Sequence, residues 1–235
     1  VTNIPTTIYE LGLSYRASWQ AHSQSNAGSN GSNRLMPRRQ LLADGTETDA
    51  CSGNIAKHYH AVLTAEYMEE SGVPLCSACQ QRDGRRAAAL VGHPDYSSLT
   101  MERILTGCGL CDMHGFLVTS KNAAQDGSTE ARQRLSKHSL VEYAFALAEQ
   151  HTETPQLFTR IGDSKDAGQM LMKMPSRSGA YAQPVRYKAA GIGVDTDKWR
   201  VIVTDTDQRQ RRHRSALSAL RDLVLSPSGA LTSKM

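Results

Sequence analysis

Four of the five cysteines fall into two pairs of the same spacing, Cys76-Ser77-Ala78-Cys79 and Cys108-Gly109-Leu110-Cys111. Each CxxC pair bends into a knuckle that turns both sulfurs to one point. Two knuckles supply four thiolates, which close a tetrahedral shell and leave no position for water or substrate. The chemistry expected of Cys76, Cys79, Cys108 and Cys111 is therefore a structural Zn2+ site, ordering a segment too poor in apolar residues to order itself. The two pairs lie further apart than in compact fingers, so buried or redox-active thiols are the competing reading. The fifth, Cys51, stands alone; this is no disulfide framework, and a reducing, cytoplasmic setting fits it. A catalytic zinc of the nucleobase-deaminase kind fails on two counts. Leu75 separates Pro74 from Cys76, and His60-Ala61-Val62 lacks the glutamate that would shuttle protons.

A second set of residues is suited to anions. His22-Ser23-Gln24-Ser25-Asn26-Ala27-Gly28-Ser29-Asn30-Gly31-Ser32-Asn33-Arg34 is followed by Arg38 and Arg39 before the next acid, Asp44, and then by Ser52-Gly53-Asn54-Ile55-Ala56-Lys57-His58. Small amide and hydroxyl residues with two glycines let backbone N–H groups approach a phosphate closely, and a helix start bearing a lysine adds positive potential. As an ordinary polar loop the same tract needs no ligand. Met170-Leu171-Met172-Lys173-Met174 reads either as a packing edge or as a flexible wedge between stacked bases, with the lysine on phosphate. Arg209, Arg211, Arg212, His213 and Arg214 read either as a solvated helix face or as an RNA-facing one. No G-x-S-x-G elbow, P-loop or G-x-G-x-x-G turn is present.

The elements that must carry these groups are legible from periodicity. Tyr9, Leu11, Leu13, Tyr15, Ala17 and Trp19 alternate with polar residues, which predicts a half-buried first strand. Ile55, Tyr59, Val62, Ala65 and either Tyr67 or Met68 recur near helical spacing between Ser52, a plausible N-cap, and Gly72-Val73-Pro74. From Leu75 to Asp112 periodicity is poor, which predicts an inserted module. Gly115–Thr119 and Ser139–Ala148 predict two strands, the second of which reads as helix on propensity alone, and residues 151–179 a polar excursion. Pro184–Val194 and Trp199–Thr204 predict a strand pair, and Gln208–Leu225 an amphipathic helix. Helices on one face of an antiparallel sheet make an α+β, ferredoxin-like arrangement, the topology of RNA-recognition modules.

Composition sets bounds on this reading. At 235 residues the chain holds one core with insertions. A net charge of +4 and a pI near 8.8 are too modest to argue for nucleic acid by themselves. No apolar run reaches the roughly 20 residues of a membrane helix, so no membrane partner is expected, and with neither a basic stretch nor an apolar core in the first residues no signal segment is expected.

In order along the chain, several segments resemble the backbone subunit of type I CRISPR Cascade complexes, in its archaeal-type, DevR-like autoregulator branch. They are the Asn26/Gly28/Gly31/Asn33 loop, Ser52-Gly53-Asn54-x-x-Lys57-His58-x-His60, Cys111-Asp112-Met113-His114-Gly115-Phe116-Leu117 and Ser139-Leu140-Val141. They continue with Ser164-Lys165-Asp166-Ala167-Gly168-Gln169-Met170-Leu171, Ser178-Gly179-Ala180-Tyr181 and Arg214-Ser215-Ala216-Leu217-x-Ala219-Leu220.

The resemblance implies an RNA-recognition-like palm in three stretches, 1–72, 113–150 and 181–235, with a fingers insertion at 73–112 and a thumb hairpin at 151–180. It implies that copies stack in a helical filament along the CRISPR RNA with other Cascade subunits, in a ribonucleoprotein of antiviral defense that presents the guide to target DNA. By position Asn26, Asn33, Arg34, Arg38, Ser52, Asn54, Lys57 and His58 would bind the RNA backbone, with Met170, Leu171, Met172 and Lys173 as the thumb wedge. Backbone contacts suit a protein that must accept any guide sequence. The expected role is non-catalytic. Two alternatives stand beside it: a type III-like subunit cleaving target RNA with a loop aspartate, Asp49 or else Asp44, and a zinc-stabilised autoregulator on duplex DNA. The four cysteines are a departure from these relatives, so the zinc site rests on spacing alone. A closing palm strand is expected around Ser228-Gly229-Ala230-Leu231, and the sequence is read as incomplete beyond it.

Overall fold

A computed structural model of the chain describes residues 8–23, 26–29, 35–91, 99–119, 134–160 and 170–226, with side chains at all of these except 21, 29, 151, 155–160, 170–172 and 174. In chain order the elements begin with β1 (Leu11–His22), β2 (Asn26–Ser29), β3 (Leu35–Pro37), β4 (Arg39–Leu41), β5 (Glu47–Cys51), α1 (Gly53–Glu70), α2 (Ser77–Gln80), α3 (Met101–Gly107) and α4 (Gly109–His114). They continue with β6 (Phe116–Thr119), β7 (Arg134–Lys137), β8 (Val141–Tyr143), β9 (Ala146–Arg160), β10 (Met170–Tyr187), β11 (Val194–Asp195), β12 (Arg200–Val201) and α5 (Thr206–Leu225). This mixed α+β chain forms two compact units. One holds the residues up to Gly12, Lys57–Glu142 and Arg186–Ser226; the other holds Leu13–Ala56 and Tyr143–Val185.

The second unit is built on a sheet of order β1-β10-β9-β5-β4, with β8 also pairing β10. β1 alternates half-buried and exposed positions up to Trp19, which is buried, as its period-2 pattern predicts. β9 and β10 form a long antiparallel hairpin, in register from Met170 opposite Arg160 to Ala182 opposite Leu147 with one shift between Ala180 and Tyr181. Ala50 and Cys51 of β5 lie opposite Leu147 and Ala146 of β9, and Arg39 of β4 lies opposite Asp49 of β5. Trp19, Ala50, Cys51, Ala146, Ala148 and Tyr181 form the interior. The Ser/Asn/Gly tract differs from a plain strand-to-helix loop. Asn26–Ser29 is extended and pairs antiparallel with Leu35–Pro37, so backbone groups that a loop would leave to water are partnered, and β2 to β5 stand between β1 and the first helix.

In the first unit the buried face of α1 is Ala56, His60, Ala61, Thr64, Ala65 and Met68, while Ile55, Tyr59 and Val62 are only half-buried. The apolar spacing identifies the helix but misplaces its face by part of a turn, because small residues, not large ones, permit close packing there. At its end Gly72 adopts φ +70°, and the Val73 N–H returns to the Met68 carbonyl at 2.8 Å. That is the helix stop predicted from Gly72 and Pro74. The region expected to be irregular is a string of short helices, α2 to α4, with a 3-10 turn at Arg86–Leu90.

The strand pair expected over 184–204 is mostly absent. β10 ends at Tyr187, and only Val194–Asp195 pairs with Arg200–Val201. Gly193, at φ +71°, turns the backbone where an added β-carbon would meet the Val203 side chain at 2.7 Å, so extended pairing cannot continue through it. α5 starts at Asp205, whose carboxylate accepts the N–H groups of Asp207 and Gln208. Its buried stripe is Arg212, Ser215, Ala216, Ala219, Leu220 and Leu223. The closing strand expected around 228–231 lies outside the described residues.

Candidate metal centre and nucleic-acid-binding residues

The two CxxC pairs converge. Cys76 stands just before α2 and Cys79 within it; Cys108 stands before α4 and Cys111 within it. All four are buried, and their sulfurs lie within 4.8 Å of one another. The Cys79 and Cys111 sulfurs are 3.6 Å apart and those of Cys76 and Cys111 3.9 Å, and all the cysteines are free thiols. Tetrahedral coordination with metal–sulfur bonds of about 2.3 Å sets sulfurs about 3.8 Å apart, so the spacing suits one metal ion. The knuckles are held by backbone: Cys108 Sγ accepts the Cys111 N–H, and the Gly109 N–H reaches the Pro74 carbonyl at 2.8 Å. A β-carbon on Gly109 would meet the Val73 side chain at 2.5 Å, so glycine lets the knuckles approach. A cavity of about 260 Å³ reaches Cys76, Cys108 and Cys111 from beside Leu90 and Ile104.

Next to Cys111 lies a buried ion network that the sequence does not announce. Asp112 Oδ1 accepts from Lys137 Nζ, and its Oδ2 accepts from Arg212 at 2.8 Å and from the Gly193 N–H at 2.8 Å. The remaining Lys137 donors go to the carbonyls of Gly191 and Val194, and Arg212 also reaches the Leu105 carbonyl. Burial lowers the affinity of Lys137 for its proton, and Asp112 works against that. α4, β7, α5 and the 191–194 turn are thus tied together at one carboxylate. The basic run of α5 is partly consumed in this way. Arg212 is buried, Arg209 caps the Ile192 carbonyl, Arg211 reaches the Ser71 carbonyl, and His213 hydrogen-bonds Tyr187.

A second buried cluster corrects the expectation for Asp49. It lies in β5, not in a loop, and is fully buried. Arg177 occupies Oδ1 and the Tyr181 hydroxyl donates to Oδ2 at 2.6 Å. The tyrosine oxygen lies 2.7 Å from His22 Nε2 and its ring stacks on Trp19 at 4.7 Å. His22, Asp49 and Cys51 lie close enough to share a metal, but a guanidinium and a hydroxyl already hold both carboxylate oxygens, so the set fits an internal anchor of β1, β5 and β10 rather than a cation site. Asp44 is exposed, in the β4–β5 turn, and accepts from Thr46 N–H and hydroxyl.

The residues expected to meet RNA are divided between the two units. In the second unit Asn26 is half-buried and donates to the Ser23 carbonyl. Arg38 sits 6.0 Å over the Phe145 ring, Ser52 Oγ accepts the exposed Asn54 N–H, and Lys173 is exposed on β10. Asn33 and Arg34 lie outside the described residues, as do the side chains of Met170, Leu171 and Met172. In the first unit His58 is exposed beside a small hollow shared with Arg82 and Arg86. Lys57 is half-buried; desolvation first, then the Arg86 charge, pushes its proton affinity down. Arg82 and Arg86 read in sequence only as a charged loop. Both adopt positive φ, +59° and +52°, and such backbone geometry leaves no trace in residue type when the residue is arginine.

Behind this surface His60 and His114 are buried with ring centroids 5.0 Å apart. Burial holds His60 down to about 4, opposed by its hydrogen bond to the Ala216 carbonyl. Burial, then the His60, Arg86 and Lys57 charges, holds His114 well below the usual range. The unfolded chain binds the proton first, near pH 6.5, so the contribution of neutral His60 is full above that pH, declines as pH falls and is gone by about 4. The loss is about 2 kcal/mol from pH 6.5 to 5. Urea midpoints are expected to fall between pH 7 and 5, and His60→Gln to shrink that fall; an equal fall in both proteins would contradict the assignment.

Among the described residues no helix is long and apolar enough to cross a membrane. A search of curated proteins found no match. Among solved structures, the chain is similar to a subunit of a CRISPR RNA-guided surveillance complex in a pre-nicking state, with TM-score 0.49 and 12% identity over 95% of this chain and 74% of that one. It is also similar to a chain of a CRISPR RNA-guided surveillance complex, with TM-score 0.46 and 15% identity over 95% of this chain and 64% of that one. Residues 13–235 match the sequence family described as the CRISPR-associated negative auto-regulator DevR/Csa2. A match of that extent means that the chain belongs to the CRISPR-associated DevR/Csa2 family.

Proposed function

We propose that the protein is a non-catalytic, CRISPR RNA-binding backbone subunit of a Cascade effector complex, several copies of which line the guide and present it to target DNA. The observation that carries this is the family match across residues 13–235. Supporting it, the order β1-β10-β9 is the 1-3-2 portion of a ferredoxin-like sheet, so the sheet of the second unit serves as part of an RNA-recognition-like palm. The outer part of the β9–β10 hairpin, within 151–180, serves as the thumb. The α2–α4 region, closed by Zn2+ on four thiolates, serves as the fingers. Lys57 and the neighbouring Arg86 supply cations for a sugar-phosphate backbone and His58 an exposed ring beside them, and Asp49 has both carboxylate oxygens held by Arg177 and Tyr181.

The test is co-expression with a guide array: the protein is expected to purify with RNA of uniform length. On single-stranded RNA, replacing Lys57 and Lys173 by alanine is expected to remove about 1.4 from the slope of log affinity against log salt, about 0.7 per phosphate contact. An unchanged slope overturns the residue assignment. Preference for duplex DNA over single-stranded RNA in direct competition overturns the function.

A further inference from the structure

We propose that Trp199, at the tip of the β11–β12 hairpin, is a stacking platform for one unpaired base of single-stranded RNA; the inference rests on the RNA-binding role proposed above. Of the two tryptophans, Trp19 serves the interior of its own unit, whereas Trp199 is 78% exposed. Its backbone lies at φ +51°, a conformation that side chains with a β-carbon avoid and that glycine or asparagine ordinarily fills. A large indole at an exposed, strained position gains nothing from burial. The strain is held in place by a rigid base. Asp195, 3% exposed, accepts the N–H groups of Asp197 and Lys198 at 3.1 and 3.3 Å. The Gly193 carbonyl accepts those of Ile202 and Val203 at 2.8 and 2.9 Å. The ring is thus displayed on a fixed turn, with little ordering left for a ligand to impose.

The charges beside it select the ligand. Lys198 and Arg200, both exposed, directly precede and follow Trp199 in the chain and outnumber the one exposed acid of the tip, Asp197. The only ion pair of Arg200 among the described residues is a loose one to Glu102 at 3.9 Å, both side chains at least 60% exposed, so its guanidinium can turn to a phosphate. An anchor for a protein partner sits in an apolar patch ringed by polar groups. Here the chain neighbours of the ring are cations, which suits a flat base carried between phosphates. Duplex buries its base faces, so the ligand is single-stranded.

Because Trp19 is buried, change in indole emission on adding ligand reports mainly Trp199. Titrating the full chain with oligouridylate is expected to quench that emission in step with binding followed by anisotropy of the labelled oligonucleotide. Trp199→Ala is expected to abolish the quench and weaken binding about five- to tenfold, with the salt slope unchanged. Trp199→Gly, which suits the positive φ, is expected to melt no lower than the parent yet bind as weakly as the alanine variant, and Trp199→Phe to recover most of the affinity. Oligouridylate bound with parent affinity by Trp199→Ala, without quenching in the parent, overturns this inference and leaves the proposed function standing. No binding of oligouridylate at all overturns both. A Trp199→Ala variant that loses self-association but keeps its RNA affinity makes the ring a protein contact and also overturns the inference.

Discussion

Purified protein is expected to carry one zinc ion per chain, and Cys111→Ser to lose it together with the folding of the segment from Val73 to His114. The sulfur spacings of 3.6 and 3.9 Å match the edge of a zinc–thiolate tetrahedron, and four thiols held that close without a cation would repel one another as they ionise. Structural zinc binds with an apparent free energy of about 10–16 kcal/mol in small modules, comparable to the whole stability of a domain, about 5–15 kcal/mol. Loss of one ligand therefore removes enough to unfold α2 to α4, whose helices have four to seven residues and cannot persist alone. Metal analysis, protease cleavage within residues 73–114 and the melting temperature follow the effect. Cys51→Ser, at a cysteine outside the cluster, is the control and is expected to keep the metal. The cavity beside Cys76, Cys108 and Cys111 gives a chelator its path, so metal removal should reproduce the Cys111→Ser result. Metal-free protein with parent melting and protease resistance contradicts the prediction.

Asp112→Ala is expected to cost about 3–5 kcal/mol, because it leaves buried Lys137 and Arg212 without their counter-charge. Both side chains are at most 1% exposed, so neither can recover hydration without opening the fold. Urea midpoints measure the loss. Replacing the set together, Asp112→Leu with Lys137→Met and Arg212→Met, is expected to recover most of it, since apolar residues of similar volume need no partner. A single variant as stable as the parent, or a triple variant worse than the single, contradicts the account. Because Asp112 directly follows Cys111, the anchor of α5 and β7 and one ligand of the proposed metal site share one short helix. Asp112→Ala is therefore also expected to weaken metal retention.

The two predictions differ in how far sequence leads to them. The cysteines announce themselves because a thiolate metal site needs particular residue types at short, fixed spacing, and α2 and α4 supply that geometry locally. Asp112, Lys137 and Arg212 are separated by 25 and 75 positions and sit in unremarkable contexts, so their meeting is a property of packing. Asp49 shows the same limit in the other direction. The resemblance to CRISPR backbone subunits offers Asp49 as a cleaving acid, but Arg177 and Tyr181, more than a hundred residues later, make it an interior anchor. Lys57 was legible as a cation at a helix start, whereas Arg86, which lowers its proton affinity, was not.

What the sequence determined by itself is whatever depends on neighbours in the chain. β1 follows from period-2 alternation, α1 from helical spacing with its cap and stop, α5 from helical spacing, the four-cysteine cluster from two CxxC spacings, and the family from the order of short segments. What only the tertiary structure decided is whatever depends on distant partners. It decided which face of α1 is buried, that Asn26–Ser29 is paired ribbon rather than loop, that Arg212 faces inward, and that Asp49 and Asp112 are each neutralised in the interior. It also decided that Trp199 faces water on a strained turn. The physical reason is the same throughout. Local periodicity and spacing are written in one stretch of chain, whereas desolvation and charge pairing belong to groups that become neighbours only when the chain folds.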